Sequence, residues 1–145
     1  MKKICIVSTV GAVVDAFMLK HIEYLKQIGE ITLVLGDNSV VDSQITIERI
    51  NIDRKINIKN DLKSVYQLYK FFNQNKFDIV LSLMPKSGLL SMISSYFANV
   101  NLRFHFFTGQ VWATKKGLFR VLLKSMDKLI VKCSSSVLVD SNTQK

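Results

Sequence analysis

"FDIVLSLMPKSGLLSMISSYFA", residues 77–98, decides the fold. Its first eight residues form an apolar run interrupted by one aspartate near its start and one serine, as expected of a strand buried on both faces. Proline then stops the run. The segment after it, 86–98, is apolar but rich in serine, which suits a helix packed closely on a sheet. A strand meeting a helix through a Pro-Lys-Ser-Gly turn is the local form of a βα unit.

Outward from this unit the same alternation recurs. "KICIVST" (3–9) predicts a first strand, and residues 15–29 a helix with Met18, Ile22 and Leu25 on one face and Phe17, His21, Tyr24 and Ile28 beside it. Asp15 is placed to cap that helix and Gly29 to end it. Strands are expected at 31–36 and, with one wetter face, at 45–52. Residues 60–75 read as an amphipathic helix, 103–107 as a strand, 115–133 as a long helix and 136–141 as a last strand. The pattern predicts an α/β domain: a doubly wound, Rossmann-like, mostly parallel sheet of about six strands with helices on both faces. Loops at 9–15, 84–88, 108–114 and 140–142 then gather at the carboxyl ends of the strands.

The totals agree with one domain over residues 1–145. Apolar residues make up 48% and charged residues 21%, with one proline and six glycines, so neither a disordered chain nor a linker is indicated. The net charge of +9 points to an anionic partner. Cys5 and Cys133 match no metal or redox spacing and read as buried free thiols. Met1-Lys2-Lys3 ahead of an apolar run has the start of a signal peptide. No small-residue cleavage site follows, and the run is too short and too polar to span a bilayer. No metal-ligand cluster is present, and neither G-x-G-x-x-G nor a P-loop occurs.

The span from Met84 to Ser141, with "DIVLSLMPKSGLL", "FTGQVWAT", the basic helix "GLFRVLLKSMDKLI" and a closing "VLVDS", resembles the amino-terminal half of family 4 glycosyltransferases, in particular those that build bacterial capsular and lipid-linked surface polysaccharides. Residues 8–36 fit more loosely. The resemblance implies the GT-B fold, two Rossmann-like domains across a cleft, with this chain as the acceptor-binding side. No cofactor is then expected in this domain. The nucleotide-sugar donor and its Glu-rich motif would belong to a donor-binding carboxy-terminal domain, absent here and supplied in cis or in trans. The partners implied are a lipid-linked or oligosaccharide acceptor and an anionic membrane surface, at the cytoplasmic face of the cell membrane, and no nucleic acid. The chemistry implied is of the retaining type, with the chain alone inactive. Many relatives carry a histidine just before the glycine that ends the fifth strand; here that position is Thr108, and His105 lies three residues earlier, on the opposite strand face. A non-catalytic docking subunit of a split enzyme, or a basic α/β binding module, is the alternative.

Acceptor contacts are expected from the loops. Gly11 lines the cleft or makes an ordinary turn. Lys86 and the free amides around Ser87 and Gly88 suit a phosphate, with Ser87 as helix cap and Gly88 admitting a ligand to the backbone. Thr108, Gly109 and Gln110 offer hydrogen bonds to sugar hydroxyls. Trp112 can stack on a sugar, rest at a membrane interface or fill the underside of its loop. His105, between phenylalanines, reads as a hydrogen-bonded core histidine, and His21 as a packed or half-exposed helix residue. Lys116, Arg120, Lys124, Lys128 and Lys132, four apart, form a slowly turning basic stripe beside the apolar Leu118, Leu122, Met126 and Leu129. That stripe is expected to rest on anionic lipid or to face solvent.

Overall fold

A computed structural model describes residues 1–41 and 44–139. Six strands form one sheet, β1 (Lys2–Ser8), β2 (Gly29–Leu35), β3 (Thr46–Arg49), β4 (Ile79–Leu83), β5 (Leu102–Phe107) and β6 (Ser136–Val139). Every pairing is parallel and the order is β3-β2-β1-β4-β5-β6. This is the strand order of a Rossmann sheet, which reverses direction between β1 and β4.

The strand alternation sorts the core into two layers. Ile4 and Ile6 of β1 pack with Leu33 and Leu35, under Val14, Met18 and Ile22. Cys5 and Val7 face the other way, with Val80, under Leu68 and Phe72, Leu90 and Met92, and Ile130 and Cys133. The first layer carries α1 (Gly11–Phe17) and α2 (Leu19–Leu25); the second carries α3 (Ile58–Asn75), α4 (Pro85–Phe97) and α5 (Gly117–Cys133). Right-handed crossovers account for the division, because the chain moves one way from β1 to β2 and the opposite way from β4 to β6.

Several expectations are corrected. The helix foreseen at 15–29 starts earlier, at Gly11, and bends at Met18 into two short helices. Its buried residues Val14, Met18 and Ile22 are four apart, a spacing that overshoots a full turn by about 40° each time, and the bend keeps the row on the sheet. Asp15 therefore lies inside α1 and caps nothing, and Gly29 opens β2. The strand at 45–52 shrinks to four edge residues, the helix foreseen at 115–133 begins at Gly117, and the loop ahead of it holds a 3-10 turn, Val111–Thr114. Gly117 opens α5 with a φ of +66°. The end of the last expected strand and the loop at 140–142 lie outside the described residues.

Helix α4 sits as its serines suggest. Ser87, Ser91, Ser94 and Ser95 are all buried. Ser94 Oγ donates to Leu90 O at 2.7 Å and to Val65 O of α3 at 3.0 Å, so its polar group is satisfied while the small side chain lets the helices close up.

Candidate functional site

The sheet reverses direction between β1 and β4, and the crevice outside their carboxyl ends is where such a sheet receives ligands. Thr9 follows β1, and its Oγ1 is buried without a hydrogen-bond partner among the described residues. Met84 follows β4 with φ +70° and ψ 149°, backbone that a non-glycine residue adopts only under strain. Ser8 Oγ bridges the two, 2.9 Å from Val10 O and 3.8 Å from Met84 Sδ. A strained residue and an orphaned hydroxyl at the switch point mark this crevice as the candidate site.

Asp37, just past β2, closes one side of it. Its carboxylate accepts the Gly11 N–H at 3.2 Å, and both the N–H and the hydroxyl of Ser39. The Arg49 guanidinium donates to Asp37 O at 2.5 Å and Ser39 O at 2.7 Å. Partial burial works against the charge on Asp37, but these hydrogen bonds and the nearby Arg49 outweigh it and hold the carboxyl below its usual range. The amide that opens α1 thus already faces a carboxylate of the chain itself. Sequence reasoning passed over Asp37; the signal was a polar turn, Gly36-Asp37-Asn38-Ser39, directly after a strand.

The expected acceptor residues divide into two groups. Gly11, Lys86, Ser87 and Gly88 are all buried. A Cβ on Gly11 would lie 2.6 Å from Ser39 Cβ, so this glycine serves the close approach of the Asp37 loop. Lys86 Nζ pairs with Asp61 Oδ2 at 2.6 Å and donates to Lys55 O at 3.1 Å, which ties α4 to the start of α3. Ser87 does not cap α4, which begins at Pro85; its hydroxyl donates back to Leu83 O. The space beside Gly88 is filled by the His105 ring rather than left open to a ligand. Thr108, Gly109 and Gln110 are partly exposed, and Gly109 has open space around it. Loops after β1, β4 and β5 lie side by side, and the last presents Thr108 and Gln110 partly exposed.

His105 is fully buried. Its Nδ1 is 2.8 Å from Ser82 Oγ, its ring stands edge-on to Phe107, and its Nε2 has no partner among the described residues. The expected satisfied core histidine is therefore half satisfied. Burial lowers its pKa to about 4, so the ring is neutral.

Trp112 packs on the flank of α5: Nε1 donates to Asp127 Oδ2 at 2.8 Å, and Lys124 Nζ and Arg120 Cζ lie 4.4 and 5.4 Å from the ring centroid. Burial pushes the Asp127 carboxyl up, against the opposing effect of that hydrogen bond. Lys116, Arg120, Lys128 and Lys132 are exposed. So are the apolar Leu118, Phe119, Val121, Leu122 and Leu129, and only Ile130 and Cys133 of α5 are buried. Among the described residues no helix is long and apolar enough to cross a membrane, and no group of three or more His, Cys, Asp or Glu side chains could hold a metal ion.

No family model matches the chain. It is 29% identical over 93 residues to an Escherichia coli UDP-Gal:alpha-D-GlcNAc-diphosphoundecaprenol alpha-1,3-galactosyltransferase, a match covering 63% of this chain and 24% of that protein. It is 29% identical over 96 residues to the Staphylococcus aureus capsular polysaccharide biosynthesis glycosyltransferase CapM, covering 66% of this chain and 25% of that protein. The matches thus span about a quarter of the length of these curated relatives. Among solved structures, a putative UDP-N-acetylglucosamine 2-epimerase from Listeria monocytogenes superposes with a TM-score of 0.72 at 10% identity, over 98% of this chain and 40% of that one. The chain is therefore a Rossmann-like α/β unit with the architecture of one half of a GT-B protein, similar in sequence to bacterial glycosyltransferases of capsular and surface-polysaccharide assembly.

Proposed function

We propose that this chain is the acceptor-binding domain of a retaining glycosyltransferase that moves a sugar from a nucleotide-sugar to a lipid-linked acceptor. The observation that carries the reading is the match to two curated glycosyltransferases over some two thirds of the chain. The strained crevice between β1 and β4 supports a ligand site at the same end of the sheet. One of the two relatives acts, by its name, on a sugar linked through diphosphate to a polyprenol, and we take that acceptor chemistry over to this chain. Thr108 and Gln110 orient the acceptor sugar. A donor-binding domain, in cis or in trans, holds the nucleotide-sugar. Rate enhancement comes from positioning the acceptor hydroxyl and stabilising the departing diphosphate. The basic, apolar-edged α5 rests on the anionic inner surface of the cell membrane, each cation near the headgroups contributing about 1 kcal/mol.

Calorimetric titration with a short-chain GlcNAc-diphospho-prenol tests the reading. Saturable binding is expected, and Thr108→Ala with Gln110→Ala weakens it about tenfold through two lost hydrogen bonds. Undiminished affinity in the double variant removes these residues from the site. Absence of binding by the unsubstituted chain removes the acceptor assignment.

A further inference from the structure

A second cavity lies beyond the crevice, between the end of β5, β6 and the 3-10 turn on α5. Its volume is about 400 Å³, within the range of about 300–1,000 Å³ usual for small-ligand sites. Phe107, Val131, Val137 and Val139 make an apolar floor, and Trp112 forms one wall. The polar groups at its edge are Gln110 and Asp127, and the Asp127 carboxylate is already engaged by the Trp112 indole N–H. Arg120 and Lys124 lie against that same indole. Neither has a carboxylate partner: the single ion pair among the described residues is Lys86–Asp61. The pocket therefore combines a branched, hydrocarbon-like interior with an indole wall against which two cations lie, neither paired with a carboxylate among the described residues. It opens beside Gln110, the last residue of the loop assigned to the acceptor sugar.

We propose that this pocket is a subsite for a prenyl phosphate: the first isoprenoid units enter the cavity of Phe107, Val131, Val137 and Val139, and the phosphate lies on Arg120 and Lys124. The inference rests on the lipid-linked acceptor reading and places the lipid side of that acceptor. The sugar end reaches the Thr108–Gln110 loop. Trp112, the one tryptophan of the chain, stands between hydrocarbon and phosphate and reports on both.

The test uses farnesyl phosphate below its micelle concentration, followed by calorimetry and by Trp112 emission in the same samples. A saturable heat with a matching change in emission is expected. Val131→Phe fills the cavity from a half-exposed position and weakens binding at least tenfold, and Val131→Leu, a smaller filling, weakens it less. Arg120→Ala with Lys124→Ala weakens farnesyl phosphate at least tenfold and leaves farnesol unchanged. Thermal unfolding confirms that each variant is folded. The proposal falls if neither heat nor emission changes, if both Val131 variants bind as the parent does, or if inorganic phosphate binds with the same affinity. It falls equally if anionic phospholipid vesicles bind while monomeric farnesyl phosphate does not. Farnesyl phosphate carries no sugar, so its failure removes the pocket and leaves the acceptor reading standing. That reading fails separately, in the GlcNAc-diphospho-prenol titration.

Discussion

His105 and Gly88 fit as one unit, since the imidazole occupies the space a side chain at Gly88 would need. Serine at position 82 satisfies one ring nitrogen, and the helix above leaves the other unpartnered. A neutral buried histidine of this kind makes stability depend on pH. Its pKa is about 4 when folded, against 6.5 for a free side chain, so between these values the unfolded chain binds a proton that the folded chain does not. Stability contributed at neutral pH is then lost as pH falls from 6.5 toward 4, by up to roughly 3 kcal/mol. Urea unfolding at pH 7 and pH 4.5 is expected to show this loss in the parent and a much smaller one in His105→Gln. An equal loss in both would move the titration elsewhere. Lys86 carries a related lesson. Its position at a helix start suggested a phosphate ligand, yet Asp61, twenty-five residues earlier in the chain, meets it first.

Helix α5 differs from its neighbours in how little of it is covered. α4 buries eight residues; α5, four residues longer, buries two. Leu118 is 89% exposed and Val121 60% exposed, beside cations that carry no carboxylate partner among the described residues. An exposed apolar edge next to a basic stripe is the arrangement of an interfacial helix. Leu118→Asp with Leu122→Asp is expected to lower binding to anionic vesicles at least tenfold in sedimentation. Unfolding free energy should stay within about 0.5 kcal/mol, since neither side chain is in the core. Vesicle binding unchanged by the pair would leave this edge without a membrane role. The 3-10 turn ahead of α5 is held to the helix as well, because the contact of Trp112 with Asp127 fastens the loop after β5 to it.

Across the whole molecule the two sides of the sheet are unequally covered. Three helices lie over one face, while on the other α1 and α2 reach only part of the way. Ile79, Leu81, Phe104, Phe106 and Leu138 are left lining an apolar groove of about 330 Å³ beside Phe17 and Tyr24. A parallel sheet is ordinarily buried on both faces, so this side behaves as a hydrophobic surface in water. The chain is expected to bind the dye ANS while fully folded, and Leu138→Lys to reduce the bound-dye fluorescence by about half with the thermal midpoint unchanged. Dye binding that persists in the variant would place the apolar surface elsewhere. What could be read without the structure were features set by local periodicity and chain order. Continuous apolar strands and their alternation with helices imply a parallel, doubly wound sheet, and the serine-rich α4 announces close packing. The helix over 15–29 was misplaced because its start is capped by no polar side chain, and its buried row depends on where the sheet lies. The candidate site was the least legible part. Motif residues show which loops reach the carboxyl edge, but not which side chains remain free there. Lys86, Gly88 and Gly11 are claimed by Asp61, His105 and Ser39, and each of these partners is brought close only by the folded chain. Sequence by itself determined the architecture, since strand and helix periods are local properties; tertiary structure alone decided which polar groups face the crevice, since that depends on pairings across the sheet.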